Sequence, residues 1–106
     1  MGNTFPPFVT SMKTAFYIDL SLKTPNGPEP YARFFIGDDR KKAQELFDRL
    51  IGNQQVQETD MLYLDFMEMQ QELPLNLKMI SCTLEQLCEN CKIITRGLFQ
   101  LANLKL

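Results

Sequence analysis

The sequence predicts an α+β domain: two β-β-α units forming a four-stranded, mainly antiparallel sheet with two helices packed on one face. Three observations carry that expectation. Phe16-Tyr17-Ile18-Asp19-Leu20 is echoed by Leu62-Tyr63-Leu64-Asp65-Phe66, in the same order of apolar, Tyr, aliphatic, Asp, apolar. Each copy alternates with a period of two, the mark of a strand buried on one face. Each is followed by a second extended stretch and then by apolar residues at helical spacing, and helices of that kind need an apolar floor. A chain of 106 residues that is 44% hydrophobic and 23% charged suits one domain of ordinary composition. The expected division is an extended segment over 1–13 and one domain over 14–106, an internal duplication with units at 14–52 and 61–104.

Phe5-Pro6-Pro7-Phe8 cannot be helical, because adjacent prolines fix φ and remove two backbone donors. Phe5 and Phe8 have three possible fates: docking on the domain, where they would cover the outer sheet face, docking on a partner, or neither. From Thr14 to Lys23, Phe16, Ile18, Leu20 and Leu22 point one way and Tyr17, Asp19, Ser21 and Lys23 the other. Three prolines around Asn26-Gly27 predict a loop of about seven residues over 24–30. A second strand is expected over 31–36, with Ala32, Phe34 and Ile36 inward and Tyr31, Arg33 and Phe35 outward. Gly37-Asp38-Asp39 then starts a helix, an Asp being a favoured N-cap. Ala43, Leu46, Phe47, Leu50 and Ile51 form an apolar stripe, Glu45 and Arg49 an i,i+4 pair on the wet side, and Gly52 a left-handed stop.

The second unit repeats the plan. Leu62, Leu64 and Phe66 face inward, Tyr63, Asp65, Met67 and Met69 outward, and Glu68 ends the apolar run. Leu73-Pro74 predicts the turn, and residues 76–82 the fourth strand. Thr83 and Gln86 have capping-box spacing. The helix after them runs to about Asn103, with Leu84, Leu87, Cys88, Cys91, Ile94, Leu98 and Leu101 on one stripe.

Charge narrows the function classes. The formal net charge is −2, and no basic residue lies between Arg49 and Lys78 while Glu58, Asp60, Asp65, Glu68 and Glu72 do. Nucleic-acid binding needs clustered Lys and Arg, so it is not expected. Tyr31-x-Arg33-x-Phe35 has the makings of a base-stacking strand, but the glycine-aromatic pattern of RNA-binding sheets is missing. No EF-hand spacing is present. No apolar run reaches the eighteen or so residues that span a bilayer, and residues 1–10 lack a secretory signal, so no membrane association and a cytoplasmic location are expected.

Cys88-Glu89-Asn90-Cys91 with Cys82 suggests metal or redox chemistry. Three thiols without a histidine fall short of a structural zinc set, and the pair does not open its helix. Buried core thiols are the expectation, with no metal and no cofactor. Tyr17, Asp19, Tyr63 and Asp65 are the second constellation. Should the two Tyr-bearing segments lie side by side, all four project from the helix-free face, where two close carboxylates would push one pKa up. Polar residues on a wet strand face account for the same pattern. With Tyr31, Phe35, Met67, Met69 and Arg33, that face is rich in residue types enriched at interfaces. The expected function is therefore binding, with no catalytic residues. A homodimer through the helix-free face comes first, contacting through Tyr17, Asp19, Arg33, Phe35, Tyr63 and Asp65, and a protein partner or small molecule second. The alternative is a small-molecule site or small enzyme with Asp19 and Asp65 as anchors or an acid/base pair.

Overall fold

The computed structural model describes residues 14–102, in the order β1 (Thr14–Thr24), β2 (Gly27–Phe35), α1 (Arg40–Asp48), β3 (Leu62–Gln70), β4 (Leu73–Cys82) and α2 (Leu84–Leu101). The strands form one antiparallel sheet in the order β2-β1-β3-β4. Two helices complete an α+β fold. Residues 1–13 and 103–106 lie outside the described residues, and with them the expectations for Phe5 and Phe8 and for a helix end near Asn103.

β1 and β3 occupy the middle of the sheet. Their pairing runs from Thr14 opposite Gln70 to Leu22 opposite Leu62. Phe16, Ile18 and Leu20 from β1, Leu64 and Phe66 from β3 and Ile80 from β4 are buried, and so are Ala43, Leu46 and Phe47 from α1 and Ile94 from α2. All of them belong to one core cluster, so both helices cover the same sheet face. Phe66 sits between Phe16 and a stacked Phe47, with centroids 5.9 and 5.3 Å away.

The hairpin between β1 and β2 is tighter than the expected seven-residue loop. Thr24 already pairs with Gly27, leaving Pro25-Asn26 as the turn, and Gly27 takes a φ of 101° that other residues avoid. Pro28 and Pro30 are part of β2, not of a loop. They are tolerated because β2 is an edge strand, with no strand on its outer side among the described residues. The turn expected at Leu73-Pro74 lies two residues earlier. Gln71 and Glu72 both have positive φ, 52° and 68°, which makes a primed hairpin turn from residues that seldom build one. Pro74 thus also lies in an edge strand.

Asp39 caps α1, its carboxylate accepting from the Lys42 amide at 3.1 Å. The helix stops at Asp48, short of the expected Ile51, and Ile51 is exposed. The cause lies in α2. Asn90, completely buried, donates from Nδ2 to the Ile51 carbonyl at 2.8 Å and accepts from the Ile51 amide at 2.7 Å. The next residue, Gly52, is not a left-handed stop. It passes so close to β4 that a Cβ there would overlap the Ser81 carbonyl oxygen, and Asn53 then pairs with Ser81. The expected Glu45–Arg49 pair is absent: Arg49 lies past the helix, and Gln44 hydrogen-bonds Asp48 instead.

The capping box of α2 forms as expected, Thr83 Oγ1 accepting from the Gln86 amide and Gln86 Oε1 from the Thr83 amide. Its buried stripe is Asn90, Ile94 and Gly97. Leu84 is 68% exposed and Cys88 is also exposed, contrary to their expected places on that stripe.

Asn90→Ala should lower stability by roughly 2–4 kcal/mol, from two lost hydrogen bonds and a small cavity in the core. Asn90→Asp, which keeps the shape but turns a second acceptor toward the Ile51 carbonyl, should destabilise comparably. Urea unfolding checks both, and variants as stable as the parent would show that the Ile51 anchor contributes nothing.

Candidate binding face of the sheet

Antiparallel alternation sends Tyr17, Asp19, Ser21, Tyr63, Asp65, Met67 and Met69 to the face away from the core. No element among the described residues packs over it. The register arranges the face in rows across the strands. One row reads Arg33, Asp19, Asp65, Met79 from β2 to β4, and the next reads Phe35, Tyr17, Met67, Asn76.

The two carboxylates of the repeated motif are thus brought directly opposite each other, but its two tyrosines are not. β1 and β3 run in opposite directions, so Tyr17 faces Met67 and Tyr63 faces Ser21. Tyr63 is tied down locally, donating its hydroxyl proton to the Asp60 carbonyl at 2.6 Å. Tyr17 packs against Phe35, centroids 5.5 Å apart, and the Arg33 guanidinium lies 4.8 Å over its ring. The six expected contact residues therefore share one face in three successive rows, with Tyr63 opposite Ser21 in the row beyond Asp19 and Asp65.

Asp19 and Asp65 have different surroundings. Arg33 holds Asp19 in a fork, Nε to Oδ1 and Nη2 to Oδ2 both at 2.8 Å, the bidentate geometry that makes Arg–carboxylate pairs strong. That hydrogen-bonded carboxylate raises the Arg33 pKa further above its usual value. Asp65 has no cation within reach among the described residues. Its one hydrogen bond comes from Asn76 Nδ2 to Oδ1 at 3.1 Å. Burial, and then the charge of Asp19, hold its carboxyl above the ordinary range, and the Asn76 bond only partly opposes them.

The face is open, not hollow. Tyr31, Phe35 and Met79 are exposed, and Tyr17, Met67 and Met69 are half-buried. None of the cavities found among the described residues is lined by Asp19 or Asp65. One apolar recess of about 460 Å³ is lined by Phe35, Ile36, Gly37, Leu98, Phe99 and Leu101, at the end of α2. Another, also of about 460 Å³, lies between α1 and β4 beside the Lys78–Asp48 ion pair, whose hydrogen bond lowers the Asp48 pKa.

Cys82 and Cys91 lie near enough to interact, but the three thiols do not gather into one cluster. Cys88 is exposed, whereas Cys82 and Cys91 are partly covered, and burial raises the Cys82 pKa. Among the described residues no group of three His, Cys, Asp or Glu side chains is placed to hold a metal ion, and no helix is long and apolar enough to cross a membrane. Three polar residues are buried among those described, Ser81 of β4 and two whose roles sequence reasoning missed. Glu68, 7% exposed, lies at the end of the core and meets Arg40 at 3.1 Å. Asn90 is the other, and its position four residues before Ile94 on the buried stripe was the available signal. Comparison of the chain with protein-family models, curated proteins and solved structures gives no match.

Asp65 makes stability depend on pH in a defined direction. A carboxyl with a folded pKa above its unfolded one binds more protons in the folded state between those two values. Raising pH through that window therefore removes stability, and acidifying restores it. At low protein concentration, Asp65→Asn should raise the melting temperature at pH about 7 by a few degrees, and the advantage should shrink toward pH about 4. Equal melting curves at both pH values would contradict the assignment. Thiol titration of native protein should show Cys88 reacting first and Cys82 last, since exposure and thiolate fraction set the rate.

Proposed function

We propose that the protein works by binding and not by catalysis, through the helix-free face of its sheet, and that its first partner is a second copy of itself. The observation that carries the reading is the make-up of that face. Phe35, 56% exposed, and Met79 lie in the same rows as Tyr17, Met67 and the Arg33–Asp19 pair, with no described element over them. Aromatics, Met and Arg are the types enriched at interfaces, and monomers seldom leave so much of them wet. A two-fold axis lets one such patch serve both copies. Opposed carboxylates with one raised pKa support the small-molecule alternative. The absence of a cavity around Asp19 and Asp65 among those described favours a broad contact over a small ligand.

Two further parts belong to the same proposal. The Tyr-x-Asp segments are read as copies of one β-β-α unit, supported by their equivalent places on the two central strands. A reducing, cytoplasmic setting is supported by three free cysteines, one of them exposed.

Sedimentation equilibrium over a dilution series tests the function directly, with twice the chain mass expected at the higher concentrations. Phe35→Lys, at an exposed position that the core does not use, should weaken the dimer by about tenfold or more, the size expected for a central aromatic anchor. A parent protein that remains monomeric throughout would refute self-association. Specific saturable retention of a small metabolite, lost in Asp65→Ala, would favour the alternative.

A further inference from the structure

The order of charges across the open face restricts how two copies can meet. We infer that the dimer is built about a two-fold axis running along β1 in the plane between the two sheets, so that Arg33 of each copy pairs with Asp65 of the other. This rests on the self-association proposed above and adds the register and the residues that set it.

When two sheets pack face to face, the axis relating them lies in the plane between them. An axis across the strands lays each strand on its own copy, so Arg33 meets only β2. An axis along the seam between β1 and β3 lays Asp19 over Asp65 and Arg33 over Met79, stacking acid on acid. An axis along β3 lays Asp65 on itself and leaves Arg33 outside the overlap. An axis along the seam of β2 and β1 exchanges Arg33–Asp19 pairs that each copy already makes, overlaps two strands and abandons Asp65. An axis along β1 overlaps three strands and lays β2 of each copy over β3 of the other, following the strand order and register. Arg33 then faces Asp65 and, in the next row, Phe35 faces Met67, while Tyr17 meets Tyr17 at the axis.

The free hydrogen-bonding groups suit that docking. Arg33 spends Nε and Nη2 on Asp19, which leaves Nη1 with no acceptor among the described residues. Asp65 Oδ1 accepts from Asn76, and Oδ2 accepts from nothing among them. The two Asp19 carboxylates come near each other at the axis, each already neutralised by its own Arg33. Sheets packed face to face lie about 10 Å apart, within reach of an Arg and an Asp side chain extended toward each other. Their mean strand directions stay within about 30° of each other, which keeps the rows close to register.

Charge reversal in separate chains is the test. Arg33→Glu alone puts acid against acid twice in each dimer, and Asp65→Arg alone puts base against base twice. Each should weaken self-association by about tenfold or more, the scale of close charge pairs at interfaces. Mixed together, the two variants present only opposite charges, so a heterodimer should form with an affinity near that of the parent. Sedimentation of the mixture, with one chain labelled, reads this out, and circular dichroism and thermal melts confirm folding. Arg33→Gln and Asp65→Asn, which introduce no repulsion, keep the test valid if a reversal unfolds the chain, and each should also weaken the dimer. A dimeric parent whose variants dimerise as well as it does would overturn this pairing and leave self-association standing. So would weakened variants that fail to combine. A monomeric parent would overturn both.

Discussion

The register of β1 on β3, with Asp19 opposite Asp65, determines both faces of the sheet at once. It sets Ile18 on Phe66 and Leu20 on Leu64 inside the core, and because strand side chains alternate it must also set one carboxylate beside the other outside. A slip of one residue would exchange the two faces. The magnitudes decide which face governs. Each buried Phe, Leu or Ile contributes about 1.5–3 kcal/mol, and five such residues from these two strands lie in the core. Two carboxylates partly in solvent repel by only about 1–4 kcal/mol. The core therefore imposes the acid pair, and the surface adapts to it through the Arg33 fork on one carboxylate and a protonation bias on the other.

Polar groups set the limits of that core. Phe16 lies opposite Glu68, and there the apolar run of β3 ends under Arg40 from the first turn of α1. At the other end of α1, Asn90 takes both backbone groups of Ile51 and turns the chain toward β4, where Gly52 and Asn53 meet Ser81. α1 is thus fixed at its start by an ion pair with the sheet and just past its end by an amide from α2. Gly97 of α2, where a Cβ would press into Leu46, lets the two helices approach closely.

The fold was legible wherever one face alone carried the burial signal. β1 and β3 alternate without exception through Phe16–Leu20 and Leu62–Phe66, and the capping residues Asp39 and Thr83 mark helix starts by local chemistry. Misreadings arose where tertiary contacts override local preference. Proline density in 24–30 reads as loop, yet β2 is an edge strand whose outer side has no partner among the described residues for Pro28 and Pro30 to offend. Gln71-Glu72 has no turn composition and acquires its primed geometry from the strands it joins. Ile51 has helical spacing but loses its helix to Asn90, 39 residues away. The repeat put Asp19 and Asp65 on one face of neighbouring strands, and the register then set them directly opposite each other. The cation that separates their fates is on a third strand, at a position fixed by hairpin register, and periodicity alone does not supply that register.

The edges of the sheet bear on why association should use its face. β2 presents Pro28 and Pro30 to the outside and carries a bulge at Tyr31, where its register with β1 shifts. On β4, Leu77 is skipped by a second bulge, Pro74 removes a donor, and Asn53 already occupies the Ser81 end. Prolines, bulges and covering segments are the devices that keep edge strands from pairing with other chains. With both edges blunted, the aromatic, Met-rich face is the sheet surface that the described residues leave unpaired. Asp65, a carboxylate on that face without a cation among the described residues, is costly to the single chain because burial and Asp19 both disfavour its charge. In the proposed dimer a second Arg33 would remove that cost, so the least comfortable group of the isolated fold becomes the group that selects its partner and its register.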